Sequence, residues 1–135
     1  MMSTILEKMV NDINSRLKEI LNDNFDGWTI TTREGYEVVG YTRNTYKLDR
    51  GVISVILSYA YESLEKTVKK YLKRSSTSFL AVDIFTEDST YKIILLPHPL
   101  FFLIIVTNQE GLCRIIMRRK DIINSVSEVI SRLFK

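Results

Sequence analysis

The sequence predicts an α/β domain of the α+β type, in which helices cover both faces of a five-stranded, mostly antiparallel sheet. Two observations carry this prediction. The hydrophobic period changes along the chain in the order helix, two strands, helix, three strands, helix. The apolar runs in the C-terminal half are continuous, as is typical of strands that are covered on both faces. A sheet between helical layers would bury all of these segments.

The N-terminal third of the chain is predicted to be a helix followed by a β-hairpin. A 3.6-residue period runs over 5–21. Period-2 segments at 28–32 and 37–42 flank a turn in which Gly35 supplies a positive φ. The apolar stripe of the helix comprises Leu6, Met9, Val10, Ile13, Leu17, Ile20 and Leu21.

The second predicted helix, 52–72, is apolar on more of its circumference than one core contact requires. One stripe is expected to face the sheet and comprises Ile53, Leu57, Ala60, Leu64, Val68 and Tyr71. A second stripe comprises Val52, Val55 and Tyr59. This second stripe either packs under a loop of the same subunit, at 43–48, or forms a dimer or partner surface. We expect the latter.

The remaining strands are predicted at 79–85, 91–96 and 101–107. The run at 93–106, IILLPHPLFFLIIV, is shorter than the ~20 residues that a membrane-spanning helix needs. The Pro97-His98-Pro99 turn also interrupts it at its middle. We therefore interpret it as two buried strands and expect no transmembrane segment.

End signals mark the helices, and the last one is predicted to run over 112–134. A T-x-x-E capping box starts at Thr4, Asp49 can cap the second helix, and Asn108 can cap the last one. Arg119 falls inside the apolar stripe of the last helix, where it needs a partner that the sequence does not identify. That stripe comprises Leu112, Ile115, Ile116, Ile122, Ile123, Val126, Val129, Ile130 and Leu133.

Composition indicates one globular domain over residues 1–135, with 45% hydrophobic and 26% charged residues. The net charge of +3 is too weak to imply nucleic-acid binding by itself. The single cysteine, Cys113, cannot form an internal disulfide, and the N-terminus does not resemble a signal peptide. These features favour a cytoplasmic location.

No residue pattern in the sequence indicates catalysis. His98 is the only histidine and lies between two prolines, and Cys113 offers no Cys/His pair with metal-ligand spacing. The chain also lacks a G-x-x-x-x-G-K-[ST] phosphate loop. We therefore expect no catalytic, metal or cofactor site and no enzymatic activity.

Two basic clusters stand out at the ends of helical stretches. They can complement helix dipoles and form solvated faces, or they can dock an acidic partner. Nucleic acid is disfavoured, because no aromatic and basic recognition motif accompanies the charge. One cluster comprises Lys66, Lys69, Lys70, Lys73 and Arg74, and the other comprises Arg114, Arg118, Arg119 and Lys120.

The string α-β-β-α-β-β-β-α, at this length, resembles the roadblock/LC7 domain family. The residues that echo the family are the Glu34-Gly35-Tyr36 turn, the apolar strand at 101–106 and the Gly111-Leu112 start of the last helix. The chain differs at Pro97-His98-Pro99, where the family often has a polar turn that contains glycine.

The resemblance implies a homodimer in which edge strands join and the middle helices lie side by side. It also implies a partner, a small Ras-like GTPase. The alternatives are a structural adaptor with a non-GTPase partner and a small-ligand sensor. The expected dimer or partner interface comprises Val52, Val55 and Tyr59 together with Phe79, Ala81, Asp83 and Phe85 of the third strand.

Overall fold

A computed structural model describes residues 2–43, 49–73, 76–88 and 90–133 of the chain. The predicted order of elements is confirmed, except that the last helical stretch forms two helices. None of the described helices is long and apolar enough to cross a membrane. The elements are α1 (Met2–Leu21), β1 (Phe25–Thr31), β2 (Glu37–Thr42), α2 (Arg50–Leu72), β3 (Leu80–Phe85), β4 (Thr90–Pro97), β5 (Phe102–Thr107), α3 (Gln109–Met117) and α4 (Arg119–Leu133).

The five strands form one antiparallel sheet in the order β2-β1-β5-β4-β3. The central strand is β5, whose six residues are all buried. The edges are β2 and β3. The apolar run at 93–106 therefore forms the end of β4, the turn and most of β5, and the prediction of two buried strands is confirmed.

The sheet separates two apolar cores. On one face, α1, α3 and α4 pack against inward-facing residues that include Leu103 and Ile105 of β5. On the other face, α2 packs against Phe102, Ile104 and Val106 of the same strand. Successive strand residues point to opposite faces, so the continuous apolar run supplies both cores at once. The prediction of helices on both faces is confirmed.

The predicted stripe of α1 is confirmed, but its predicted cap is wrong. Met9, Ile13 and Leu17 are almost completely buried. The helix begins at Met2, so Thr4 lies within its first turn and is not the residue that precedes the helix. The Asp49 and Asn108 caps are confirmed, because their side chains accept hydrogen bonds from the first backbone N–H groups of α2 and α3.

The predicted single helix over 112–134 breaks at Arg118, which has φ −115° and ψ 24°. The break lets Ile115 of α3 and Ile122 of α4 both face the same core. Arg119 finds its partners at this break. Its Nη1 donates a hydrogen bond of 2.7 Å to the Ile116 carbonyl, and its guanidinium lies over the Phe79 ring.

The predicted sheet-facing stripe of α2 is correct in its first half and wrong in its second. Ile53 and Leu57 are buried, whereas Leu64 and Tyr71 are 39% and 70% exposed. The buried line follows steps of four residues from Leu57 to Tyr61 and Glu65. The second half of the helix is thus held by polar groups, and its apolar residues face outward.

The two hairpin turns at one end of the sheet are joined through Arg33. Its guanidinium lies 4.3 Å from the centre of the Phe102 ring, donates 2.9 Å to the His98 carbonyl and pairs with Glu62 at 2.8 Å. In the β4–β5 turn, His98 Nδ1 accepts a hydrogen bond from the Leu100 backbone N–H. Burial, and secondarily the nearby Arg33 charge, lower the pKa of His98.

Candidate interaction surface

The first half of α2 carries an apolar ridge, defined here as Val52, Val55, Ile56 and Tyr59. Their exposed fractions are 53%, 49%, 59% and 77%. Ile56 belongs to this ridge, although neither apolar stripe predicted for the helix included it. The alternative packing under 43–48 falls largely on 44–48, which lie outside the described residues.

Strand β3 is the second part of the candidate surface. Its only strand neighbour in the described part of the chain is β4, so one side of its backbone is open to another strand. The register pairs Val82 with Ile93 and Ile84 with Tyr91. Ile93 belongs to the core under α2, and Val82 packs against that core. Val82 and Ile84 therefore lie on the α2 side of the sheet.

The other residues of β3 lie on the opposite side. Ala81 pairs with Ile94, which belongs to the core under α1, and by alternation Asp83 and Phe85 share that side. Asp83 forms an ion pair with Lys92 at 3.1 Å, and Phe85 is 75% exposed.

The sequence-predicted interface residues are thus divided between two sides of the sheet. The ridge lies on the α2 side, whereas Ala81, Asp83 and Phe85 lie on the other. Phe79 precedes β3 and packs against the core under α1. Sequence reasoning missed Val82 and Ile84, which lie on the α2 side of the sheet, because the side on which they lie depends on the register with β4.

A buried polar cluster fixes β3 relative to α2. The Tyr61 hydroxyl donates 2.9 Å to the Thr77 carbonyl, and the Thr77 N–H donates 2.7 Å to Glu65. Burial raises the pKa of Tyr61 to about 12, with a further contribution from Glu65. Burial alone would raise the pKa of Glu65, but hydrogen bonds from Thr77 and Lys69 outweigh it and lower that pKa.

A second polar cluster fixes the start of α2 on the β1–β2 hairpin. Arg50 in the first turn pairs with Glu37 of β2 at 3.0 Å. Glu37 also accepts a hydrogen bond of 2.9 Å from the Thr29 hydroxyl of β1. The ridge is therefore presented by a helix that is anchored at both halves, which suits a surface that must keep its shape.

The basic cluster on α2 lies on its exposed second half. Lys66, Lys69, Lys70 and Lys73 are exposed, and Arg74 lies outside the described residues. Lys69 pairs with Glu65, and Lys69 and Lys70 occupy the last turn, where cations complement the helix dipole. Acidic-partner docking at this cluster stays a prediction.

Two features of the described part of the chain bear on metal and small-ligand binding. Within the described ranges, no group of three or more His, Cys, Asp or Glu side chains could hold a metal ion. Between α2 and the sheet, beside Ile53, Ile104 and Val106, the cavity volume is about 20 Å³. That space holds roughly one water molecule.

Comparison with solved structures identifies the fold. No protein-family model matches the chain, and neither does any curated protein sequence. A roadblock/LC7 domain from Streptomyces avermitilis superposes with a TM-score of 0.62 at 9% identity, over 92% of this chain and 99% of that one. The chain thus has the roadblock/LC7 fold that its sequence resembles.

Two further structures with this fold carry the name MglB. One, described as having a tetrameric arrangement, has a TM-score of 0.67 at 10% identity and covers 96% of this chain and 92% of its own. The other, a gliding protein from Thermus thermophilus, has a TM-score of 0.66 at 9% identity and covers 92% of each chain. At these identities the likeness concerns the fold.

Proposed function

We propose that this protein is a homodimeric roadblock-type module that binds a small Ras-like GTPase and has no enzymatic activity of its own. The observation that carries the proposal is that the α2 ridge and apolar residues of the edge strand β3 lie on one side of the sheet. The apolar side chains Val82 and Ile84 of β3 lie on the same side of the sheet as that ridge.

A two-fold axis beside β3 would make this surface self-complementary. Two β3 strands would pair and extend the sheet across the axis, and two ridges would lie against each other above it. Burying a side chain the size of Val55 or Ile56 contributes about 1.5–3 kcal/mol, and each counts twice in a symmetric dimer. One of the structures with this fold is described as tetrameric, which supports assembly as a use of the fold.

The GTPase part of the proposal rests on the resemblance to the roadblock/LC7 family, whose members serve as platforms or regulators for small Ras-like GTPases. A structural adaptor with a non-GTPase partner would use the same surface. The small-ligand sensor is less well supported, because the cavity of about 20 Å³ between α2 and the sheet cannot hold such a ligand.

The dimer is tested by Val55→Glu, which introduces a charge at the ridge. Size-exclusion chromatography with light scattering should show twice the chain mass of 15.7 kDa for the wild type and the single mass for the variant. Circular dichroism should show an unchanged fold. Leu100→Glu is the matched control, because Leu100 is 79% exposed but lies in the β4–β5 turn. A folded Val55→Glu dimer would exclude the ridge as the seam.

The GTPase is tested by capture from native extract with the immobilised protein, in the presence of GDP or a non-hydrolysable GTP analogue. We expect a Ras-like GTPase to be retained in a nucleotide-dependent manner. The purified protein alone should hydrolyse no nucleotide. Retention of other proteins only, regardless of the nucleotide, would favour the adaptor. Hydrolysis that a point substitution in this chain abolishes would contradict the non-enzymatic assignment.

A further inference from the structure

The break between α3 and α4 forms a second distinctive surface, which we name the α3–α4 corner and define as Met117, Arg118, Arg119 and Lys120. Met117 is 83% exposed, more than any ridge residue of α2. The corner lies where α3 ends and α4 begins, because Arg118 leaves the helical conformation. The corner thus combines an exposed apolar side chain with three basic residues, a composition typical of interaction surfaces.

The corner carries an excess of positive charge. Arg118 pairs with Asp121 at 3.2 Å, so the charge of each is largely satisfied. Arg119 turns inward to the Ile116 carbonyl. Lys120 is exposed and has no ion-pair partner in the described part of the chain. It is therefore the cation most available to a ligand, and Arg119 adds a second positive charge beside it.

A groove of about 330 Å³ adjoins the corner. Its apolar lining residues are Leu96, Pro97 and Ile123. Its polar lining residues are Ser78, Arg119, Lys120 and Asn124. A concave site lined by both apolar and basic side chains matches a ligand that combines an apolar side chain with carboxylates.

We propose that this groove docks an acidic peptide segment of a partner protein. An apolar side chain of the peptide would cover Ile123 and Pro97, and a neighbouring carboxylate would face Lys120. An acidic peptide is favoured because its carboxylates complement the positive charges of Lys120 and Arg119. A nucleic acid is disfavoured, because no aromatic side chain is among those that line the groove and could stack on a base.

The groove and the α2 ridge lie on opposite sides of the sheet, although one lining residue of the groove, Ser78, comes just before β3. The groove lies beside α4, which packs on the face of the sheet opposite to α2. A peptide in the groove and a partner on the α2 ridge would therefore occupy different sides of the subunit. The inference goes beyond the proposed GTPase binding, and neither depends on the other.

The test measures binding of a fluorescein-labelled peptide, in which pairs of glutamates alternate with leucines, by fluorescence anisotropy at low salt. We expect saturable binding that weakens as salt is raised. Lys120→Glu should weaken it about tenfold, because it reverses the available charge. Lys18→Glu is the matched control: it changes the net charge equally, at an exposed lysine in the last turn of α1 that belongs to neither basic cluster, and should change the affinity less than about twofold.

Nuclear magnetic resonance with the labelled protein and the same peptide should show the largest shifts at Lys120, Ile123 and Asn124. Equal weakening by Lys18→Glu and Lys120→Glu would mean diffuse attraction and would overturn the proposal. So would equal binding of the glutamine version of the peptide, or no binding at all. Binding of the protein to vesicles of anionic lipid through Lys120, with no binding of the peptide, would assign the groove to a membrane instead.

Discussion

The two faces of the sheet are covered in different ways. Three helices cover one face, and apolar side chains such as Ile13, Ile115 and Val126 fill the space beneath them completely. A single helix, α2, covers the other face and leaves its ridge and part of β3 exposed. The core on the first face is covered within the subunit, whereas the second face leaves apolar surface that a neighbouring molecule would cover.

The two faces also differ in what holds their helices. Helix α1 packs on α4 largely through apolar contacts. Helix α2 depends on Arg50 with Glu37, on Arg33 with Glu62, and on the cluster around Thr77. These polar groups are partly exposed and fix the position of α2 on the sheet. The α2 face is therefore the part of the molecule whose stability should respond most to single polar substitutions.

The sharpest comparison within α2 comes from two adjacent residues, of which Leu57 is 6% exposed and Ile56 is 59% exposed. Leu57→Asp should destabilise the subunit by about 4 kcal/mol, because it buries an unpaired charge and leaves a cavity. Ile56→Asp should change the stability of the subunit by less than about 0.5 kcal/mol. Urea denaturation of both variants checks this. Equal loss of stability would contradict the division of α2 into a core side and a ridge.

The two sides of β3 provide the next comparison. Ile84→Lys places a charge on the α2 side and should weaken the proposed dimer by about 3 kcal/mol, or more than about a hundredfold in Kd. Ala81→Lys places the same charge on the other side and should have a much smaller effect. Sedimentation equilibrium over a range of concentrations measures both. A stronger effect of Ala81→Lys would place the seam on the opposite side of the sheet.

Removal of Arg33 tests the polar anchoring of the α2 face. Arg33→Ala loses the contacts with Phe102, His98 and Glu62 and should cost about 2 kcal/mol of folding free energy. Arg33→Lys keeps the charge but not the planar group, so it should recover less than half of the loss. Thermal denaturation followed by circular dichroism gives both values. Full recovery by lysine would mean that charge alone matters.

The smallest expected effect is the dependence of stability on pH. The folded pKa of His98 is below its ordinary 6.5, so the unfolded chain takes up a proton first as the pH falls. Stability should therefore decline below pH 6.5 until the folded pKa is reached. The folded pKa of Glu65 is below its ordinary 4.5, so its contribution is complete above 4.5 and is lost as the pH falls through the folded value.

His98→Asn should remove the first decline, because an asparagine oxygen can accept the Leu100 hydrogen bond without titrating near neutrality. Glu65→Gln should remove the second decline in stability, which lies below pH 4.5. Each effect should be below about 1 kcal/mol. Urea denaturation at pH values on both sides of each window measures them. A wild-type profile that is flat between pH 7 and the acid limit would contradict the lowered pKa values of His98 and Glu65.

The sequence predicted the helices and strands well wherever one hydrophobic period persisted over several helical turns or several strand residues. The spacing of Ile13 and Leu17 placed α1, and the continuous run around Leu95 and Ile104 placed the two buried strands. These patterns depend only on which face of an element is covered. The Asp49 and Asn108 caps were also predictable, because the capping bonds are local.

The sequence failed where the outcome depends on distant parts of the chain. The exposure of Leu64 and Tyr71 depends on how α2 packs against the strands. The side of the sheet on which Val82 lies depends on the register of β3 with β4. The α3–α4 break had a weak signal, since the apolar stripe is interrupted between Ile116 and Ile122. Arg33 gave no signal, because its partners come together only when two hairpin turns meet.

The placement of β5 at the centre of the sheet has a consequence for synthesis on the ribosome. β1 is the second element to emerge and can pair with β2 at once, yet its partners on the other side, such as Phe102 for Thr31, lie in the last strand. The sheet cannot close until that strand appears, and α4 must follow before the larger core is sealed. The apolar segment of β4 and β5 is therefore exposed during translation, when it can pair with other chains. Such a nascent chain would benefit from a chaperone that shields hydrophobic segments until the last helix is released.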